Sequence, residues 1–290
     1  MAVAEPVVVR PPRRLRPPTL PRAMRRLSRL DRVSIYLLAG MTLLAASAPL
    51  LAPYPSELPA GPSFKAPLSG GFVLGTDDVG RDILSRVLLG MRSTWFAAIV
   101  VILSGVVIGG LIGLAAGTAG GVVDSLLMRF TDLFLALPGP ILAIAVVAAL
   151  GPSLQHLLIA VAIVWWPFYA RIVRGEVRAL AARPHLEAAR LAGAGRFRLA
   201  FRHLLPGALP SVVVTASLDV GALILTLASL SFLGLGAPAP KPELGAMSFR
   251  ALDYLFEYWW VPIMPAVAVM LMTVVANLAG DGIRDLLGDR

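Results

Sequence analysis

The sequence predicts an all-α membrane protein with six transmembrane helices, and three observations carry that expectation. The 290-residue chain is 57% hydrophobic with a mean hydropathy of +0.79, where soluble domains sit at about 45–50% apolar. Several uncharged runs reach the roughly 20 residues that a helix needs to cross a bilayer. The period-two alternation of a membrane strand is absent, and the apolar runs are too long for one.

Residues 1–32 hold nine Arg and six Pro and almost no hydrophobic period. A disordered, lipid-contacting tail is expected there. Val33–Leu51 is the first span, within a membrane segment taken as 33–53. Ala46-Ser47-Ala48 looks like a signal-peptidase site. The apolar run is longer than the usual h-region of about 7–15 residues, so an uncleaved span is the expectation. Residues 54–92 form an extracytoplasmic segment with an amphipathic surface helix, capped by Thr76 or Asp77. Asp77, Asp78 and Asp82 do not make a calcium loop, because no Glu closes the required spacing.

Ser93–Val123 is uncharged and holds the second span. Gly105, Gly109, Gly113, Gly117 and Gly121 recur every fourth residue and predict a face on which another helix packs to backbone contact. That face is either static packing or a sliding surface. Asp132 to Arg171 encloses a run too long for one span, with Gly151-Pro152-Ser153 as a turn near its middle. Two helices follow, over about 133–150 and 153–173, the first kinked by Pro138 and Pro140. Trp165-Trp166-Pro167 either lines a pathway or packs between helices. Leu209–Gly236 is the fifth span, interrupted only by Asp219. A carboxyl at that depth faces water or a partner, making Asp219 a pathway candidate, or takes an interhelical hydrogen bond. Trp259–Ala279 is the sixth span. The transmembrane domain is taken as 93–282, leaving 283–290 as a cytoplasmic C-terminus.

Between the fourth and fifth spans lies a short, basic, helix-prone elbow, about 174–208. Pro184 suits a first helical turn, and Leu186 to Ala192 is nearly all strong helix formers. Gly193 can take φ > 0 and break the rod. Phe197, Phe201 and Leu204 then recur at i, i+4, i+7, and Pro206 is expected to end that second helix. With the N-terminus in the cytoplasm, 20 basic residues lie inside and 6 outside. The positive-inside rule selects that orientation and puts the elbow in the cytoplasm. Trp95, Trp259 and Trp260 then fall at the outer boundary as an aromatic belt.

Much chemistry is excluded. There is no cysteine, hence no disulfide or thiolate site. The two lysines, Lys65 and Lys241, do not follow Gly, so the chain has no Walker A loop. If ATP drives it, another subunit binds the ATP. His156, His185 and His203 have no ligand at metal spacing, and no hydrolase or dinucleotide motif appears. The net charge of +9 reflects topology and lipid contact, with no aromatic-interleaved patch for nucleic acid. Asp219 stands nearly alone among intramembrane acids, which weakens a proton-coupled carrier.

The motifs carry a resemblance. Glu187-Ala188-Ala189, Gly193 and Leu205-Pro206 stand at the spacing of the EAA loop in permease subunits of ATP-binding-cassette (ABC) importers. His203 stands where the general pattern has an aliphatic residue, but Arg202-His203-Leu204-Leu205-Pro206 resembles the peptide-importer branch. Gly207 replaces the Asn often found next. Leu74-Gly75-Thr76-Asp77-Asp78-Val79-Gly80-Arg81-Asp82 with Ser85-Arg86, Ser231 to Gly236, Pro240 to Met247 and Asn277 to Asp285 are similar to the C-type permeases of dipeptide, oligopeptide and nickel importers, except that Leu244 replaces a usual Trp.

The resemblance covers roughly residues 74–290. It implies a type I importer permease of the MetI-like fold, with both termini cytoplasmic, in a bacterial inner membrane. It implies a homologous B-type permease, two ABC ATPase subunits carrying ATP and Mg, and an extracytoplasmic substrate-binding protein. This chain itself holds no cofactor and no catalytic residue. The ATPase-docking loop then comprises Pro184, Glu187, Ala188, Ala189, Arg190, Gly193, Phe197, Leu205 and Pro206, with Phe197 and Phe201 packing the elbow under the spans. Cargo of this class includes di- and oligopeptides, glutathione-like peptides, nickel chelates and haem. A self-sufficient secondary transporter or channel is the alternative, and a structural membrane protein the third.

Overall fold

The computed structural model describes residues 29–288; the Arg/Pro-rich tail up to residue 28 and the last two residues lie outside it. The described chain is helical: α1 Arg29–Leu51, α2 Ile83–Ala119, α3 Gly121–Leu135, α4 Gly139–Leu150, α5 Leu154–Ala181, α6 Pro184–Leu191, α7 Arg196–Phe232, α8 Leu244–Arg250 and α9 Trp260–Gly288. Four helices, α2, α5, α7 and α9, are each long and apolar enough to cross a membrane. The pair α3 and α4 passes the same test jointly but bends by 82° at its break. In α1 the apolar part is shorter, Ile35–Leu51.

The bend has a local cause. Pro138 has no amide to continue α3 and becomes the N-cap of α4, while Pro140 sits in the first turn of α4, where no donor is needed. The sequence predicts a kink there; two successive prolines produce a complete break.

The second span starts earlier than its hydropathy suggests. Asp82, rather than Thr76 or Asp77, caps α2, accepting from the Ser85 amide at 2.8 Å. The expected surface helix is therefore the first turns of a 37-residue rod, about 55 Å long at about 1.5 Å per residue. Thr76 and Asp77 are buried in the loop before it. Thr76 donates to the Pro62 carbonyl at 2.7 Å and accepts from the Lys65 amide at 2.8 Å. This loop, residues 52–82, folds over one end of the bundle. Phe64 stacks on Tyr258 at 4.1 Å and meets Tyr254 edge-on at 4.9 Å. Trp95 and Trp260 are buried at that end, so they do not form a lipid-facing belt; of the three, only Trp259 is exposed.

Two apolar clusters organise the bundle. The larger joins α1, α2, α4, α5, α7, α8 and α9 through residues such as Val101, Leu157, Leu223, Leu244 and Met272. The smaller sits at the elbow end, where Leu114, Val173, Val177 and Leu180 meet Leu186, Leu204 and Val212. The α2–α5 contact is built on missing side chains. A Cβ on Gly109 would overlap the Trp166 carbonyl oxygen and lie 2.8 Å from the Ala170 nitrogen. One on Gly113 would lie 2.9 Å from the Arg174 nitrogen, and one on Gly117 2.6 Å from Val177 Cγ1. One on Gly105 would lie 3.1 Å from the Tyr169 ring. Gly121 leaves the stripe, because α2 ends at Gly120; it has φ 55° and open space around it.

Candidate functional site

The elbow is where two membrane rods meet outside their apolar stretch. Its helical neighbours run further than their hydropathy. α5 continues to Ala181, so only residues 182–195 separate it from α7. α6 starts at Pro184, with Glu187 in its first turn and Arg190 in its last, each charge matching the helix dipole at its end. Leu186 is fully buried in the smaller cluster and anchors α6 beneath α5. Glu187, Ala188 and Arg190 face outward, and Ala189 is half-buried.

Gly193 ends α6. Its φ is 82°, and two hydrogen bonds close the turn: Ala194 N–H to Ala189 O and Gly193 N–H to Arg190 O, both 3.0 Å. This is the Schellman arrangement, in which the residue after the cap takes the left-handed conformation. A side chain here meets no neighbour, so the requirement for glycine is conformational.

Pro206 does not end the second helix. Residues 196–232 form one continuous rod carrying a π turn at Ala200–Leu204. The Leu205 amide donates to the Ala200 carbonyl five residues back, and Pro206 follows with no amide to place. Such a widened turn absorbs the proline without a break. It also rotates the face. Leu204 is buried at 2% exposure, whereas Phe197 and Phe201 stand at 78% and 43%. The two phenylalanines therefore do not pack the elbow under the spans. They pair with each other, ring centroids 4.5 Å apart, and Leu199, Ala200 and Leu204 pack inward instead. Leu191, 86% exposed, is a further uncovered apolar side chain of the elbow, next in sequence to Arg190.

Asp219 lies mid-span on α7, half-buried. Its Oδ2 accepts a 2.9 Å hydrogen bond from the Tyr169 hydroxyl of α5. No ion pair to Asp219 occurs among the described residues. Trp166 packs between helices, against Phe130 and Phe134 of α3 at 6.0 and 5.3 Å.

Four charged arrangements escape sequence reasoning. Asp124 of α3 is 5% exposed and takes Arg174 of α5 in a fork, 2.5 Å to Nε and 2.8 Å to Nη2, with Arg178 on the same carboxylate. Asp132 pairs with Arg171 at 2.6 Å. The signal is present, since Asp124 and Asp132 are two turns apart and Arg171, Arg174 and Arg178 share one helix face. Their charges read equally well as topology signals. At the far end, buried Arg86 donates to the Ser56 and Pro240 carbonyls at 2.5 and 3.1 Å and joins the two loops there. Glu243, 4% exposed, accepts the Ala237 amide at 2.8 Å, and burial pushes its carboxyl above the usual range.

Among the described residues no group of three or more His, Cys, Asp or Glu is placed to hold a metal ion. Residues 109–290 match the family model described as binding-protein-dependent transport system inner membrane component. The chain is 43% identical over 221 residues to a probable D,D-dipeptide transport system permease protein, DdpC, of Escherichia coli K12, covering 76% of this chain and 74% of that one. It is 43% identical to the di/tripeptide transport system permease protein DppC of Pseudomonas aeruginosa UCBPP-PA14, over 83% and 81% of the two chains. It is 45% identical to the glutathione transport system permease protein GsiD of Pectobacterium atrosepticum, over 74% and 71%. Among solved structures, an inward-facing conformation of the MetNI methionine ABC transporter shares the fold, with TM-score 0.56 and 23% identity over 69% of this chain and 95% of that one.

Proposed function

The chain belongs to the family of binding-protein-dependent transport system inner membrane components, and from that premise we propose how its elbow couples a separate ATPase to peptide import. It is a multi-pass inner-membrane permease of a peptide-class ABC importer. In this reading six segments cross the bilayer: α1, α2, the bent α3–α4 pair, α5, α7 and α9. Both termini and the elbow are cytoplasmic. A homologous permease completes the pathway, two ATPase subunits bind beneath with ATP and Mg, and a substrate-binding protein docks on the opposite face. Cargo is a di- or oligopeptide or a relative such as glutathione, a nickel chelate or haem.

The uncovered elbow surface carries the reading. Leu191 at the end of α6 and Phe197 at the start of α7 are both more than three-quarters exposed. Apolar side chains clustered outside the bilayer call for a protein partner. Glu187, Ala188, Ala189 and Arg190 present a low-profile helical face for a groove, with Pro184 starting it and Gly193 fixing its end. Leu205 and Pro206 carry the chain into α7. Closure of the ATPases on ATP then moves α6, and the adjoining ends of α5 and α7 move with it. Asp219 faces the pathway in this scheme, held by Tyr169.

The test is the four-subunit complex in liposomes with its binding protein. Gly193→Asp or Glu187→Arg should leave the subunit in the membrane and uncouple uptake from ATP hydrolysis. Normal uptake by both variants refutes the docking assignment. Uptake by the isolated chain under an ion gradient alone supports the carrier reading instead.

A further inference from the structure

The cytoplasmic third of α5 is held on two sides. On one, the α2 backbone lies against it at Gly109, Gly113 and Gly117. On the other, α3 runs antiparallel to it, with Asp124 opposite Arg174 and Arg178, and Asp132 opposite Arg171. Asp124 is buried with both carboxylate oxygens occupied. Its partners are more open, Arg174 at 29% and Arg178 at 48% exposure, but a two-bond fork with a second Arg on the same carboxylate resists shear better than a single ion pair. Trp166, packed on the paired rings of Phe130 and Phe134, adds an aromatic contact to the same interface.

Just above this clamped region α3 breaks, while α5 runs on unbroken through a proline. α3 ends and turns 82° into α4 at Pro138. α5 carries Pro167 inside it, where one intrahelical hydrogen bond is lost. The α3 break and the Pro167 turn are neighbours, since a Cβ on Gly139 would lie 2.8 Å from Val164 Cγ1, three residues before Pro167. Beyond them, α4 and the outer half of α5 belong to the other cluster, through Ala143, Val147, Leu157 and Val161.

We propose that Asp124 is a positioning residue that makes α3 part of the lever formed by the inner end of α5 and the elbow. α3, the inner turns of α5 and α6 turn together about a hinge line through Pro138 and Pro167, rocking on the unbroken α2 along its glycine seam. The elbow's motion thereby reaches the third span without direct contact between α3 and the ATPase. The inference rests on the importer reading above and assigns it a second moving element.

The experiment again uses the complete complex with its binding protein. Asp124→Ala should leave assembly and ATP hydrolysis in place and raise the ATP hydrolysed per peptide imported by at least about fivefold, the lower range of a typical coupling. Asp124→Glu, which keeps the charge, should restore most of the coupling. A residue that merely supported the fold would change the yield of complex and leave that ratio alone. For the second arm, Asp132→Cys with Arg171→Cys is bridged by a short bis-maleimide; the chain has no cysteine to interfere. Import should survive this tether, because α3 and α5 do not move apart. Import abolished by the tether while ATP hydrolysis continues overturns the proposal, and so does an unchanged coupling ratio in Asp124→Ala. A wild-type complex with neither binding-protein-stimulated ATPase nor import would instead indict the importer reading.

Discussion

Gly109→Ala tests the α2–α5 seam with a control one residue away. The added methyl carbon would overlap the Trp166 carbonyl oxygen and lie 2.8 Å from both the Ala170 nitrogen and Tyr169 Cβ. Ordinary carbon contacts sit at about 3.5–4.0 Å, so α2 must retreat by roughly 1 Å. A gap of about 0.5–1 Å forfeits a quarter to a half of each dispersion contact along the seam. The seam includes Val101, Leu114, Tyr169, Ala170 and Val173, all buried. Overpacking of this kind costs about 1–3 kcal/mol, and we expect the upper half, because the obstructing atoms are backbone. At about 2–4 °C per kcal/mol for a chain of this size, the unfolding midpoint should fall by about 5–10 °C. Gly110→Ala meets nothing within 4 Å and should stay within about 0.5 kcal/mol of the parent or gain from the better helix propensity of alanine. The assay is thermal unfolding of the purified complex in detergent, scored on both variants. Equal midpoints for the two refute close backbone packing as the reason for the glycine stripe.

Two further outcomes follow from single side chains. Burial raises the Glu243 carboxyl, so the native state favours its protonated form. Its contribution is complete below the ordinary carboxylate range and is lost as pH rises through the raised value. Glu243→Gln keeps an acceptor for the Ala237 amide and should flatten the midpoint-versus-pH curve above that range; an unchanged slope removes Glu243 as its source. Asp219→Asn keeps an oxygen for the Tyr169 hydroxyl and should leave assembly intact while lowering import if its charge serves the pathway. Import at the parental rate assigns Asp219 to the interhelical hydrogen bond alone.

Composition and uncharged run lengths determine by themselves that the chain is helical and membrane-embedded, because a bilayer leaves backbone amides few other partners. Local chemistry also determines the turns. Gly193 at φ 82° and the Pro138–Pro140 break each follow from what one residue type can or cannot do with its own backbone. The EAA spacing with the peptide-permease strings is legible as family for the same reason, being short-range pattern. Element ends are not. α2 begins at Asp82 and α5 runs to Ala181 because tertiary partners satisfy polar helix turns that hydropathy assigns to loops.

Only the tertiary structure decides which side of the elbow is buried. A heptad-like spacing places Phe197, Phe201 and Leu204 together, but the π turn inserts an extra residue and parts Leu204 from the two paired phenylalanines. The pairing of Asp124 with Arg174 and Arg178 spans 50 and 54 residues, a distance over which sequence pattern carries no contact information. It exists only where α3 is packed alongside α5. A charge that reads in the sequence as a topology signal becomes a buried joint only once those helices are packed.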